Sequence, residues 1–394
     1  MGAKSPGGED MISTRYLIVG GGMTGDAAVK GIREHDPVGS IVLVGGEPHA
    51  PYARPPLTKK LWAGGDEEKI WRGTTEAGAD VRLGRRIVSL DLDERTAADD
   101  AGERYAWEKV LLATGGRPRT IPDSDGVVYF RTLDDYHDVR ARVHEGAPVV
   151  VVGGGFIGSE IAASLTMNGC RVTMVFPETG IASRVLPAEL SAFVTEQYRG
   201  HGVEVLTGET VSEAHGRSVV TGSGKTLEAD VVIAGLGIVP DVDLATAAGF
   251  TVDNGIVVDE LGRVDGRDDV FAAGDVANFP VAALGGRYRV EHEDHAKSHG
   301  RTVGANMAGA NVPYDHLPFF YSDMFDLGYE AVGEVDSRLE TVETWEEPNR
   351  KGTIAYLDVD RRPRGFLYWN VWDKVDQGRE LIRAGLPADE AVLV

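Results

Sequence analysis

Cysteine is almost absent. One residue, Cys170, stands among 394, and a lone thiol excludes an internal disulfide and any dithiol redox centre. Positive charge is scarce as well: 40 Lys and Arg against 62 Asp and Glu leave a net charge of −22. Nucleic acid and anionic membranes both need a basic face, so this balance speaks against either partner. It also weighs against a strongly acidic protein partner unless a local basic patch exists. Long apolar runs are missing, none reaching the roughly 18 residues of a membrane span. The opening MGAKSPGGEDMISTR has no apolar h-region of a secretory signal. Pro6 stands where a myristoylation signal needs Ser or Thr. Residues 1–10 are therefore expected to form a disordered tail on a cytoplasmic protein.

Glycine, by contrast, is abundant, with 51 residues. The excess follows short apolar runs: YLIVGGG (16–22), IVLVGGE (41–47), KVLLATGG (109–116), PVVVVGGG (148–155), RVTMVFPE (171–178), VVIAGLG (231–237) and VFAAGDVA (270–277). Runs that are apolar on both faces suit buried parallel strands with helices on either side. Helical segments lie between them, such as GSEIAASLTMNG (158–169), where Ile161, Leu165 and Met167 are expected on or near one face. Cys170 opens the next strand and reads as a buried structural residue. This βαβ grammar begins twice.

GGGMTGDAA (20–28) and GGGFIGSEIA (153–162) each follow a strand, open a helix and precede a second strand that ends in an acid. Gly25 to Glu47 spans 22 residues and Gly158 to Glu178 spans 20. Both copies match the dinucleotide-binding fingerprint, in which the first glycine allows the turn and the second admits the pyrophosphate. The third lets the helix pack on the strand, and the acid takes a ribose. Tight turns in an α/β sheet are the competing reading of each copy; the pair together favours two nucleotide sites. After about residue 318 the pattern changes to a β-hairpin, GTIAYLDVD (352–360) with FLYWNVW (366–372), followed by a helix over KVDQGRELIRAGL. The fold class is α/β: two Rossmann-like dinucleotide-binding domains plus a C-terminal α+β interface domain.

The pieces GGGMTG, PYARPPLTKKLW, LLATGGRPR, GGGFIGSE, VFPETG, FAAGDVA, RVEHEDHA, YSD and LGYEAVGEVDS resemble the FAD-dependent NAD(P)H oxidoreductases of the pyridine nucleotide–disulfide reductase superfamily. Within it they are most similar to ferredoxin and rubredoxin reductases and to apoptosis-inducing factor. The resemblance implies an FAD domain over 11–121 and 245–318, an NADH domain over 122–244 and an interface domain over 319–394. It implies that Gly20, Gly21, Gly22, Met23 and Thr24 cradle the FAD pyrophosphate and that Glu47 takes the adenosine ribose. Arg54, Lys59, Ile87, Arg131, Asp275, His292 and Tyr321 would also line the flavin site. For NADH, Gly154, Gly155, Phe156 and Ile157 would form the turn and Glu178 would take the ribose, joined by Arg184, Gly237, Glu291, Glu330 and Asn370. Relatives commonly carry tryptophan where this chain has Tyr321, which changes the pocket wall.

Lys59 sits in PYARPPLTKKLW, where the Pro-Pro pair is read as a helix start with Leu57 and Leu61 on one face. By itself Lys59 reads as a solvated helix lysine. The resemblance instead pairs it with Glu160 beside the flavin, so Lys59 and Glu160 are the candidate catalytic residues. Glu178 as ribose acceptor would repel a 2′-phosphate and favour NADH over NADPH, although Arg184 nearby softens that preference. Phe156 reads either as the nicotinamide gate or as helix–sheet packing. His292, His295 and His299 have spacings that suit a metal on a helix, but their segment matches the piece that touches flavin and nicotinamide, so no metal is expected.

The chemistry expected is hydride transfer from NADH to FAD. Without a dithiol, electrons then leave the flavin directly for an acceptor such as an iron–sulfur, ferredoxin- or rubredoxin-like protein. The alternative is an apoptosis-inducing-factor-like flavoprotein with slow turnover and a long-lived reduced flavin–NAD charge-transfer complex, acting through partner or dimer contacts. Monomer and homodimer both remain open.

Overall fold

A computed structural model describes residues 11–387; the expected tail at 1–10 lies outside the described residues. The chain divides into two compact units, one holding the chain to Ala53, Ile70–Gly116 and Pro240–His316, the other Arg54–Lys69, Arg117–Val239 and the chain from Leu317 onward.

The first unit is built on a sheet in the order Asp80–Leu83, Ile41–Gly45, Ile12–Val19, Arg104–Leu112, Thr96–Asp99, Ile87–Asp91, and Val270–Ala272 also pairs with Arg104–Leu112. The apolar runs at 16–19, 41–45, 110–112 and 270–272 are its parallel strands. Leu17, Ile18, Leu43 and Leu111 are fully buried, as strands covered on both faces require. Helix Met23–His35 packs against helix Glu293–Met307 through glycines. A Cβ on Gly31 would stand 2.0 Å from the Arg301 carbonyl, and one on Gly304 2.2 Å from the Ala28 carbonyl. Only glycine permits backbones to approach that closely.

The second unit contains a parallel sheet in the order Glu204–Thr207, Arg171–Phe176, Pro148–Val152, Val231–Ala234, Val128–Tyr129. Helix Phe156–Met167 follows its central strand. The same unit contains an antiparallel sheet in the order Phe319–Met324, Leu327–Gly333, Pro363–Trp369, Lys351–Leu357, Glu340–Glu347, with helix Val375–Ala384. The hairpin expected from 352–372 is the pair Lys351–Leu357 and Pro363–Trp369. The fold is the expected one: two Rossmann-like folds and a C-terminal α+β portion.

Two local expectations need correction. The Pro-Pro segment forms only a 3₁₀ turn, Pro55–Thr58, and Lys59 leaves it with φ −129°. Leu57 and Leu61 are both buried, but a 3₁₀ turn and an irregular continuation place them, not one α-helical face. Met167, expected near the apolar face of its helix, is 62% exposed, because two residues beyond buried Leu165 is a turn of about 200°, onto the opposite face. Cys170 is buried immediately before its strand, and burial pushes its thiol pKa up.

Candidate functional site

Each Rossmann turn divides its glycines in the same way. Gly20 has φ +129° and a Cβ there would lie 2.1 Å from the Ala113 carbonyl; Gly153 has φ +114° and would meet the Gly235 carbonyl at 2.4 Å. A Cβ on Gly25 would lie 2.2 Å from Gly20 O, and one on Gly158 2.0 Å from Gly153 O. These glycines close the turn and seat the helix. Gly22 and Gly155 are the helix N-caps, and a Cβ on either would meet nothing within 4 Å. The middle of each turn is thus the open side, with helix amides unshielded by side chains. A dinucleotide pyrophosphate fits such a cradle, and the donor set suits FAD and NAD(H) alike.

The acid that follows each fold is held differently. Glu47 accepts a hydrogen bond from the Tyr52 hydroxyl at 2.5 Å. Glu178 pairs with Arg184 at 2.8 Å, and that arginine side chain is 85% exposed.

In the second unit, Lys59 and Glu160 meet. Lys59 Nζ lies 3.1 Å from Glu160 Oε1, and both side chains are nearly buried. Glu160 also accepts from Thr58 Oγ1 at 2.6 Å and from Ser322 Oγ at 2.7 Å. Asp323 Oδ2 stands 3.4 Å from Lys59 Nζ, and the ammonium lies 3.9 Å from the Tyr321 ring centroid. Three successive residues of strand Phe319–Met324 therefore grip the pair. Alternation along the strand separates their roles: buried Ser322 reaches the carboxylate, while exposed Tyr321 and Asp323 flank the ammonium. Burial first, and then the nearby Glu160, push the hydroxyls of Tyr198 and Tyr329 far above their ordinary pKa, so both stay protonated.

The other expected residues are distributed as follows. In the first unit, Ile87 is buried at the start of its strand and Asp275 lies in the 3₁₀ turn Gly274–Val276. Glu291 pairs with Arg289 at 2.6 Å. His292 caps helix Glu293–Met307, and burial pushes it down to about 4. In the second unit, Arg54 donates to the Arg131 carbonyl at 2.8 Å. Phe156 stands edge-on to Phe320, with ring centroids 5.4 Å apart. Gly237 has φ +78° and an open α-carbon. Glu330 accepts from the Asp373 amide at 3.1 Å, and burial raises its carboxyl. Asn370 spends its side chain on the Gly328 amide and the Arg350 carbonyl, both at 2.8 Å. It shares an open cleft with Asp323, Phe325, Leu327 and Trp372. Among the described residues no group of three or more His, Cys, Asp and Glu is placed to hold a metal.

Residues 14–300 match the pyridine nucleotide-disulphide oxidoreductase family. The chain belongs to that family. It is an oxidoreductase by that membership, and residues 303–354 also match the C-terminal domain of mitochondrion-associated apoptosis-inducing factor. The ferredoxin–NAD(+) reductase component of the anthranilate 1,2-dioxygenase system from Burkholderia cepacia is 33% identical over 394 residues, covering 96% of each protein. Apoptosis-inducing factor 1, mitochondrial, from Dictyostelium discoideum is 33% identical and spans 95% of this chain and 79% of its own length. A solved structure, the covalent putidaredoxin reductase–putidaredoxin complex, superposes with a TM-score of 0.87 at 29% identity, covering 95% of this chain and 94% of the other. Both groups named by the resemblance are thus among the relatives of this oxidoreductase. No helix among its described residues is long and apolar enough to cross a membrane.

Thr58, Ser322, Asp323 and Tyr52 were not singled out from sequence. YSD was visible as a family piece, but nothing local in it points to residue 160.

Proposed function

We propose that the chain is an FAD flavoprotein that oxidises NADH and passes electrons to a ferredoxin- or rubredoxin-like acceptor. The observation that carries this reading is the duplicated glycine cradle, one copy per unit and each with an acid after its second strand. When bound, FAD supplies the two-electron acceptor for NADH. The first unit would hold FAD through Gly20, Gly21, Gly22, Met23, Thr24, Glu47 and Asp275. The second would hold NADH through Gly154, Gly155, Phe156, Ile157 and Glu178, and the antiparallel sheet after Phe319 would form the interface portion.

Lys59 would supply a fixed positive charge that favours negative charge on a bound flavin. Glu160, Thr58 and Ser322 keep that charge in place, so no reorganisation is needed at the moment of transfer. Glu178 accepts from the ribose hydroxyls and disfavours a 2′-phosphate. Phe156 forms the wall through which the nicotinamide enters. Cys170, buried and alone, offers no dithiol relay, so a bound flavin would itself supply the electrons to the acceptor. The reductase from Burkholderia cepacia and the putidaredoxin complex support an iron–sulfur protein as acceptor.

The match at 303–354 favours a second reading, an NADH-responsive flavoprotein of slow turnover that acts through partner or dimer contacts. An anaerobic NADH titration followed by admission of air separates the two. Rapid reoxidation, or fast turnover once a ferredoxin is added, is the reductase result. A long-wavelength absorbance band that decays over many minutes is the signature of the second reading. Protein purified without flavin, and unable to take it up, would sink both.

A further inference from the structure

Three stretches distant in the sequence meet at Thr24 of the first glycine cradle. Gly274 has φ +74°, and a Cβ there would lie 2.1 Å from Thr24 Oγ1; a Cβ on Gly300 would lie 2.5 Å from the Thr24 carbonyl oxygen. The 3₁₀ turn Gly274–Val276 and helix Glu293–Met307 therefore both close on the start of helix Met23–His35. His299, fully buried, joins the two, its Nδ1 accepting the Gly274 amide at 3.2 Å. We propose that His299 is a positioning residue for the flavin site, holding the turn Gly274–Val276 on the cradle so that Asp275 serves a bound FAD. The inference rests on the reading of Asp275 as an FAD contact.

The turn needs such a clamp. Only glycine fits against Thr24 at position 274, yet glycine has more backbone freedom than any other residue. Gly274 also opens the turn, and the first amides of a helical turn have no partner within it. His299 satisfies that amide, and Arg289 Nη1 donates to the Asp275 carbonyl at 3.2 Å from the other side. Rotation at Gly274 would carry the next residue, Asp275, away from the cradle; the two hydrogen bonds oppose it.

A simpler role is available: the His299 ring fills space. It lies among Phe279, His295 and Tyr314, with centroids 5.0, 4.8 and 4.5 Å away. Packing alone does not call for a histidine, however. Nδ1 accepts a backbone amide, so the proton of the neutral ring sits on Nε2. That Nε2 is buried with no protein partner among the described residues, a desolvation cost that a phenylalanine ring would not carry. What histidine adds is the acceptor.

Two substitutions separate the ring from the acceptor. His299→Phe keeps an aromatic ring and loses the acceptor; His299→Gln gives up the ring and keeps an oxygen for the Gly274 amide. The full-length, flavin-bearing variants are diluted, and FAD release is followed by the rise in flavin fluorescence. His299→Phe is expected to release FAD about tenfold faster than wild type, the size of one buried hydrogen bond lost, while His299→Gln stays close to wild type. His299→Leu, smaller than phenylalanine, should match His299→Phe and guards against crowding by the larger ring. Asp275→Asn should also speed release, and adding His299→Phe to it should change little further, because the histidine acts through that turn.

Wild-type release from His299→Phe and His299→Leu overturns the proposal, as does fast release from His299→Gln with slow release from His299→Phe. Fully additive effects of His299→Phe and Asp275→Asn overturn it too, leaving His299 a brace of the fold. Wild-type release from Asp275→Asn would instead remove the reading of Asp275 as an FAD contact, and the proposal with it.

Discussion

The two Rossmann folds begin with the same six-residue grammar and diverge at the next two positions. Asp26 and Ala27 follow the third glycine of the first fold; Ser159 and Glu160 follow that of the second. Each fold thus buries one acid near the start of its helix, one register apart. Asp26, fully buried, is bound by Arg72 Nε at 2.6 Å, Thr74 Oγ1 at 2.9 Å and Lys30 Nζ at 3.0 Å. All its partners are structural, and they tie the helix to the segment after Ile70. Glu160 is bound by Lys59, Thr58 and Ser322, and its lysine also touches an exposed aspartate and an aromatic ring. One register shift on a helix turns the acid by about 100°, which is enough to move it from bracing the fold to holding the candidate catalytic lysine. The acids after the second strands differ in the same sense, with Glu47 pinned by a buried tyrosine and Glu178 by an exposed arginine. On the proposed reading the first fold holds a resident ligand and the second one that comes and goes.

Alanine at the third glycine should break this comparison most severely. Gly25→Ala would force a Cβ to 2.2 Å from Gly20 O and is expected to yield protein without flavin, while Gly158→Ala, at 2.0 Å from Gly153 O, should leave the protein yellow. In the latter NADH should bind at least about tenfold more weakly, because the helix can no longer seat on its strand and its N-terminal amides move away from the pyrophosphate; flavin content and an NADH titration read both. Similar flavin loss in the two variants would mean the assignment of ligands to folds is wrong.

The buried acids come next. Asp26→Asn should cost about 3 kcal/mol in chemical denaturation, since it leaves two cations beside a neutral amide. Glu160→Gln should slow flavin reduction by NADH about a hundredfold, the usual scale for losing one preorganised charge contact, with the protein still folded and yellow. If Glu160→Gln proves the less stable of the two and reduces normally, the division of roles fails.

The smallest effect is acid sensitivity of the first unit. Burial pushes His295 well below its ordinary value of 6.5 and takes His299 down to about 3. Its Nδ1 accepts the Gly274 amide at 3.2 Å, so the folded form is neutral. Between pH 6.5 and about 3 the unfolded chain binds the extra proton, so stability falls as pH drops through that window. His299→Gln should flatten that slope, measured as urea midpoints at pH 7, 5 and 4. A slope equal to wild type would mean that another group carries it.

The glycine turns, the parallel strands and the C-terminal hairpin were legible because each is a local statement. A positive φ demands glycine, and doubly covered strands demand continuous apolar runs. The Lys59–Glu160 pair was legible only through resemblance, because 101 residues separate them in the sequence. Read locally, Lys59 is a solvated helix residue, and the Pro-Pro turn would have been taken for an α-helix. The grip of Tyr321, Ser322 and Asp323 had no local signal at all.

By itself, then, the sequence determined that this chain carries two dinucleotide cradles, no dithiol and an acid after each second strand, since these follow from backbone geometry and residue counts. Only the tertiary structure decided which acid braces the fold and which holds the candidate catalytic lysine. It also decided that a 3₁₀ turn delivers Lys59 inward and that the Tyr52 hydroxyl donates to Glu47. Those outcomes depend on which distant side chains reach within hydrogen-bond distance of a buried carboxylate, and no spacing along the chain encodes that.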